Sequence, residues 1–316
     1  MTAVLSPKAK RRLILFFGGV SVGGVLAVFA VVLPARHAAM GRGGEGDPPR
    51  SDRAIPSGVD LDGFEKLGPP GPSDWRAHFH ERPQSFEDYV ADCPNRKGPG
   101  RSTFFIQPLI TPPGRRNLAP GAHEQHERAI GLMREYAEIY FNVPAKVLEP
   151  IPMFDETYDA SRGQCDATQI LRILARRIPP EALVYIGISE DDLYSEGLNF
   201  VFGEGSLSER TGVYSLRRYH TPNEALFARR ALKLMAHEVG HILSIHHCVV
   251  WKCVMQGANT LGEDDSHPMY LCPVDLRKLE WNCGFDRTER YRKLLEFYRR
   301  VGLAEDAAWV QKRLPP

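Results

Sequence analysis

The chain has 316 residues, 43% of them hydrophobic, which suffices for one sizeable core or two small ones. Lysine and arginine number 40 and aspartate and glutamate 39, so the net charge is +1, and no concentrated basic face of the kind that binds nucleic acid is visible. The six cysteines are few for a disulfide scaffold, and four of them lie between positions 248 and 283, which indicates a metal site or a local disulfide.

The N-terminus predicts a membrane anchor. Residues 1–12 form a basic tail, and residues 13–33 are an uncharged run of 21 residues, about the length that spans a bilayer as a helix. Because the basic residues precede the run, the positive-inside rule places the tail in the cytoplasm and the rest of the chain beyond the membrane. We therefore expect a single-pass membrane protein with an extracytoplasmic domain. Removal of the segment as a signal peptide, by cleavage near Ala38 and Ala39, is the alternative.

A linker and one folded domain follow. Residues 34–72 are rich in glycine, proline and charge, which predicts a disordered tether, and residues 73–316 carry the apolar patterns of a folded domain. Strands are predicted at Thr103–Leu109, Ala145–Pro150, Leu183–Ile188, Asn199–Phe202 and Gly212–Leu216. Helices are predicted at His123–Tyr140 and at Ala167–Arg177, where Asp166 is the N-cap, and two short amphipathic helices are predicted within 287–314. This interleaving favours a layered α/β or α+β domain.

One long helix carries the most informative motif of the chain. Thr221 to Glu224 has the form of a capping box with Pro222 at the first helical position, and the helix is predicted to extend to Leu243. Within it His237 and His241 lie one turn apart on one face, and Glu238 is next to the first. This HExxH pattern is typical of two zinc ligands and a carboxylate that takes a proton from a zinc-bound water.

The third zinc ligand follows from spacing. In the pattern HExxHxxGxxH the last histidine lies six residues after the second, which selects His247, whereas His246 is expected to be a polar residue beside the turn. The glycine of that pattern is Ser244 in this chain. A non-glycine residue in the left-handed conformation costs about 1–2 kcal/mol, so we expect strain at this turn.

The stretch HEVGHILSIHHCVVWKCVMQG, followed by LCPVDLRKL, resembles the archaemetzincins, as do SRGQCDATQIL and VYIGISEDDLY farther upstream. The resemblance covers about residues 73–300. It implies a metzincin-like α+β metalloprotease domain with a twisted mixed sheet, an active-site helix and a Met-turn that contains Met255. It also implies catalytic zinc on His237, His241 and His247, with Glu238 as general base and acid.

The resemblance further implies a structural zinc held by four cysteines, and here the chain departs from the family. Cys248, Cys253 and Cys272 match the family pattern, but Asp275 stands where the fourth cysteine is expected. With Pro273 at the start of a helix capped by Cys272, Asp275 falls in the first turn, close to Cys272. Cys283 lies about 16 Å along the same helix and is the less favoured fourth ligand. A third alternative is that no second metal is bound and cysteines of this group form a disulfide.

These patterns support two functional hypotheses. The first is a membrane-anchored zinc peptidase that hydrolyses peptide bonds of a peptide or protein substrate, which pairs with an exposed strand edge at 199–202 or 212–216. The second is a zinc-stabilised interaction protein with little or no hydrolytic activity. The departures from the family pattern at Ser244 and Asp275 support this second hypothesis. Neither the natural substrate nor the oligomeric state follows from the sequence.

Overall fold

The computed structural model describes residues 61–315 except 62, 93, 94, 116 and 207, together with the backbone of Val28–Val32. Those five residues form a strand, so the prediction of a helix is wrong for this part of the 13–33 segment. The sequence VFAVV consists mostly of β-branched and aromatic residues, which favour a strand where a partner edge is present. The rest of the segment and residues 34–60 of the linker lie outside the described residues. No helix within the described part of the chain has the length and apolar character needed to cross a membrane.

A mixed sheet forms the centre of the domain. Its strands are β1 (Val28–Val32), β2 (Thr103–Ile110), β3 (Ala145–Val147), β4 (Ile151–Pro152), β5 (Tyr158–Asp159), β6 (Gln164–Asp166), β7 (Ala182–Ser189), β8 (Leu193–Tyr194), β9 (Val201–Ser206) and β10 (Thr211–Ser215). The order is β3-β2-β7-β10-β9-β8-β6-β5, with β4 beside β2 and β1 beside β9. Strands β3, β2, β7 and β10 are parallel, and β9 is antiparallel to β10.

The sheet separates two hydrophobic clusters, as the period-two alternation of its central strand requires. Val184 and Ile186 of β7 pack into the larger cluster, which contains the long helices, and Tyr185 faces the smaller one on the other side. All eight residues of β7 are buried. Continuous burial on both faces is typical of a central parallel strand and explains the unbroken apolar run in the sequence.

The helices cover both faces. They are α1 (Trp75–His78), α2 (Phe86–Asp92), α3 (Ala122–Tyr140), α4 (Ala167–Ala175), α5 (Glu224–Ile242), α6 (Leu261–Ser266), α7 (Pro273–Cys283), α8 (Arg287–Val301) and α9 (Ala304–Gln311). Helices α3 and α5 contribute to the larger cluster and α4 to the smaller. The predicted α+β domain with a mixed sheet and a long motif-bearing helix is therefore confirmed.

The start of α5 differs from the prediction by two residues. Asn223, rather than Thr221, is the N-cap, and its side chain accepts a hydrogen bond from the backbone N–H of Leu226 at 3.1 Å. Pro222 consequently lies before the helix. Asparagine is as good an N-cap as threonine, so the local sequence offered two starting points and tertiary packing decided between them.

Candidate metal centres and active site

The last turns of α5 present two histidines to one buried site. His237 and His241 are one turn apart, and their Nε2 atoms lie 3.0 Å from each other. Two nitrogens bound to one tetrahedral zinc at 2.0–2.1 Å would be about 3.4 Å apart. The Nε2 atom of His247 completes the group, since a ligand atom of each histidine lies within 4.8 Å of the others.

The hydrogen bonds of the three rings fix which nitrogen faces the centre. Nδ1 of His237 lies 2.9 Å from the carbonyl oxygen of Val254, and Nδ1 of His241 lies 2.7 Å from that of Ile245. Nδ1 of His247 lies 2.9 Å from both carboxylate oxygens of Glu81. Oxygens of carbonyls and carboxylates only accept, so each Nδ1 carries the proton and each Nε2 keeps its lone pair.

Charge and burial suit this centre to a cation. Burial lowers the pKa of His237 to about 3, and it also lowers the pKa of His241 well below the ordinary value, so both rings are neutral, as metal ligands must be. The Nε2 atom of His247 is buried and has no hydrogen-bond partner among the described residues. Three convergent imidazoles match the ligand set of a catalytic zinc that keeps a fourth position open.

The turn after α5 brings the third histidine back to the centre. Ser244 has φ = 74°, in the left-handed region, as expected where the pattern has glycine. Its N–H donates to the carbonyl oxygen of His241 at 2.7 Å, and the N–H of Ile245 donates to that of Gly240 at 2.9 Å. The side chain of Ser244 is buried, and its Oγ has no partner among the described residues. His246 is exposed, so the turn directs His247 inward and His246 outward, as the spacing predicts.

Met255 packs against α5 at Gly240, in the turn that carries the two histidines. It is fully buried, and a Cβ atom added to Gly240 would come within 2.5 Å of its Sδ. Gly240 lies between His237 and His241 on α5. Any side chain at position 240 would clash with Met255, so the methionine fits here because the residue is glycine. Met255 also accepts, through its carbonyl oxygen, a hydrogen bond from the N–H of Cys248 at 2.7 Å. This position fits the Met-turn that the sequence predicts.

Glu238 lies on α5 beside the first histidine and is almost completely buried. Burial, followed by the nearby charge of Asp264, raises the pKa of its carboxyl group to about 8. Its Oε1 atom has no hydrogen-bond partner among the described residues. A buried carboxyl group whose pKa is raised towards neutrality is suited to accepting and returning a proton.

A second cluster lies next to the first and consists of Cys248, Cys253, Cys272 and Asp275, whose ligand atoms all lie within 4.8 Å of one another. Asp275 Oδ2 is 3.3 Å from the sulfurs of both Cys253 and Cys272, and the sulfurs of Cys248 and Cys272 are 3.7 Å apart. All three cysteines are free thiols, so the predicted disulfide alternative does not describe this arrangement. Three thiol groups and a carboxyl group in one buried space form a donor set that fits a zinc ion.

Helix α7 explains why Asp275 rather than Cys283 reaches the second cluster. Cys272 is the N-cap of α7, and its Sγ accepts a hydrogen bond from the N–H of Asp275 at 3.4 Å. Cys283 is the last residue of the same unbroken helix, about 16 Å farther along. Burial raises the pKa of Asp275, and the ammonium group of Lys278, 2.8 Å from Oδ1, offsets part of that effect.

Glu81 contacts the histidine centre and is a residue that the sequence did not reveal. It precedes His247 by 166 positions and belongs to no motif, so no spacing could connect the two. The adjoining block RPQSFEDYVADC resembles the archaemetzincins, and that resemblance is the nearest signal in the sequence. Burial alone would raise the pKa of the Glu81 carboxyl group, but the hydrogen bonds from His247 and Trp75 and the charges of His247 and His246 together outweigh it, and the net pKa is lowered.

Comparisons with known proteins agree on one family. The family model described as peptidase family M54 matches residues 163–281. Archaemetzincin-2 of Macaca fascicularis is 31% identical over 267 residues, which cover 72% of this chain and 72% of that protein. The archaemetzincin of Archaeoglobus fulgidus is 36% identical over 141 residues, or 45% of this chain and 84% of that protein. The crystal structure of the latter covers 56% of this chain and 99% of its own, at 31% identity and a TM-score of 0.45.

Proposed function

The chain belongs to the archaemetzincins and is a zinc metallopeptidase, and from that premise we propose that it hydrolyses peptide bonds with Glu238 as the general base. His237, His241 and His247 would hold the zinc through Nε2. The zinc, when bound, would polarise the scissile carbonyl group and lower the pKa of water so that it becomes a nucleophile at neutral pH. The observation that carries the proposal is the buried, unpartnered Oε1 of Glu238 beside three convergent imidazoles.

Glu238 moves the proton in this scheme. Its carboxylate accepts a proton from the attacking water at Oε1 and then donates it to the nitrogen of the leaving amine. A pKa raised towards neutrality by burial suits both steps, because a carboxylate with an ordinary pKa would be a weaker base for the water proton and would scarcely hold that proton at neutral pH. An interaction protein would have no use for a buried carboxyl group at this position, since burial of a carboxylate without partners is costly.

The peptide substrate is proposed to pair with β9. Of the two strands considered from the sequence, β10 is interior because it lies between β7 and β9. Strand β9 pairs with β8 only at Val201, so most of its second edge accepts a further strand, and Val28–Val32 of the same chain pair in parallel there, where a substrate would displace them. An extended substrate that takes this place would use main-chain hydrogen bonds for affinity, as in other cases of strand addition.

A second, structural zinc is proposed on Cys248, Cys253, Cys272 and Asp275. Three cysteines and one carboxylate are an accepted though less common ligand set for zinc. This ion would fix the start of α7 to the segment that follows His247. The role is mechanical, because all four ligands are protein groups and leave no open position.

The proposed activity is tested with a broad peptide library and product detection by mass spectrometry. Purified zinc-loaded protein is compared with its Glu238→Ala variant, and the zinc content of both is measured. Cleavage by the wild type and its loss in the variant at equal zinc content support the proposal. Equal, non-zero rates would contradict the role of Glu238, and no cleavage by either protein across the library would favour the interaction protein instead.

A further inference from the structure

The segment 75–84 lies against the turn that carries the third histidine. Its first residue, Trp75, is buried, and the edge of its ring faces the ring of His247 at a centroid distance of 5.2 Å. Phe79 stacks on Trp75 at 3.9 Å. The N–H of Trp75 donates to Glu263 at 2.8 Å, which ties the segment to the first turn of α6. The segment is therefore packed on the domain and tied to it by hydrogen bonds.

Glu81 connects this segment to the catalytic centre. Its two oxygens accept from Nδ1 of His247 at 2.9 Å, and Oε2 also accepts from the indole N–H of Trp75 at 3.1 Å. His237 and His241 use backbone carbonyls that lie 17 and 4 positions away. The ring of His247 thus has a charged hydrogen-bond partner, and that partner comes from a distant part of the chain.

Gln84 holds the turn itself. Its Nε2 donates to the carbonyl oxygen of Ser244 at 3.0 Å, and its Oε1 accepts from the N–H of His246 at 3.1 Å. These two bonds fix the backbone on both sides of Ile245, next to a residue in the left-handed conformation. Oε1 also accepts from Nζ of Lys278 at 3.1 Å, and this ammonium group pairs with Asp275.

We propose that residues 75–84 brace the third zinc ligand, with Glu81 as a positioning residue for His247 and Gln84 as the clamp of the Ser244 turn. A carboxylate on the outer nitrogen of a zinc-binding histidine fixes its tautomer and orientation and raises its basicity. Gln84 supplies hydrogen bonds that hold a turn in which serine replaces the usual glycine. The proposal rests on the proposed function, because it assigns His247 to the catalytic zinc.

The affinity of the catalytic centre for metal is the direct test. Cobalt(II) is titrated into metal-free protein in competition with a chelator, because histidine-ligated cobalt lacks the thiolate charge-transfer band that would mark the cysteine cluster. We expect Glu81→Ala to weaken binding at the histidine centre by about 10–100-fold. The metal affinity of Glu81→Gln should lie between those of the wild type and Glu81→Ala, since its amide oxygen still accepts from Nδ1 but carries no charge. Glu87→Ala is the matched control, because Glu87 is exposed and lies 3.9 Å from Arg277, at the outer limit of an ion pair.

Two results would overturn the brace. One is unchanged metal affinity in Glu81→Ala. The other is a weaker metal affinity together with a lower melting temperature of the metal-free protein, where the loss of folding free energy equals the loss of binding free energy. Glu81 would then stabilise the fold and not position His247. Peptide cleavage is not measured, so the outcome is separate from that of the proposed function. Protein that binds cobalt tightly but cleaves no peptide would refute the peptidase and leave the brace standing.

Discussion

Replacement of Ser244 by glycine should stabilise the protein by about 1 kcal/mol. Ser244 is held at φ = 74°, a conformation that costs a non-glycine residue about 1–2 kcal/mol. Glycine loses about 0.5–1 kcal/mol of this gain through the greater freedom of the unfolded chain. The buried Oγ has no partner among the described residues, and relief of its desolvation, about 1 kcal/mol, roughly offsets the contacts of the lost methylene, about 0.8 kcal/mol.

The assay is thermal and urea unfolding of the zinc-loaded proteins. For a domain of about 150–250 residues, 1 kcal/mol corresponds to a rise in melting temperature of about 2–4 °C. Ser244→Ala is the control, because it removes the hydroxyl group and keeps the Cβ atom that causes the strain. The hydrogen bonds of Gln84 go to backbone atoms and are retained in both variants. Ser244→Ala gains only the relief of the Oγ desolvation, about 1 kcal/mol, so the two variants should be about equally stable. A Ser244→Gly protein that is no more stable than the wild type would refute the reasoning.

Three further predictions concern other groups. Glu238→Gln should lower peptide hydrolysis by about 10²–10⁴-fold at unchanged zinc content, measured by peptide turnover and metal analysis; loss of zinc would contradict it. Asp275→Ala should reduce bound zinc from two ions per chain to one, and Asp275→Cys should retain two; equal counts in all three proteins would contradict the second site. Burial lowers the pKa of His126 from 6.5 to about 4 in the folded protein. As the pH falls below 6.5 the unfolded chain binds this proton first, so the free energy of unfolding falls until about pH 4 and is unaffected by His126 above pH 6.5. In His126→Gln the free energy of unfolding should therefore fall less between pH 6.5 and 4, by up to about 3 kcal/mol, as measured by urea unfolding at a series of pH values. A pH dependence equal to that of the wild type would contradict this prediction.

The clustering of the three histidines could be predicted from the sequence because its geometry is local. His237 and His241 need only the helical repeat to share a face, and the six-residue step to His247 spans a single turn. Asp275 could be placed for the same reason, since Pro273 fixes the start of α7 and thereby the direction of its first turn. Each of these inferences used contacts between residues that are close in sequence.

Other features depended on contacts that no local pattern encodes. The carboxylate on His247 comes from Glu81 across 166 positions, and the two hydrogen bonds of Gln84 span 160 and 162. The choice between Thr221 and Asn223 as N-cap was likewise made by packing. The strand at Val28–Val32 was misjudged because an apolar run has the same composition in a membrane helix and in a strand that pairs with a sheet edge.

The measurement that tests the central claim most directly is zinc-edge anomalous diffraction from crystals of the zinc-loaded protein. We predict one peak about 2.0–2.1 Å from Nε2 of His237, His241 and His247, and a second among the sulfurs of the cysteine cluster and Asp275. The absence of density between the three histidines in protein that contains zinc would contradict the assignment of the catalytic centre.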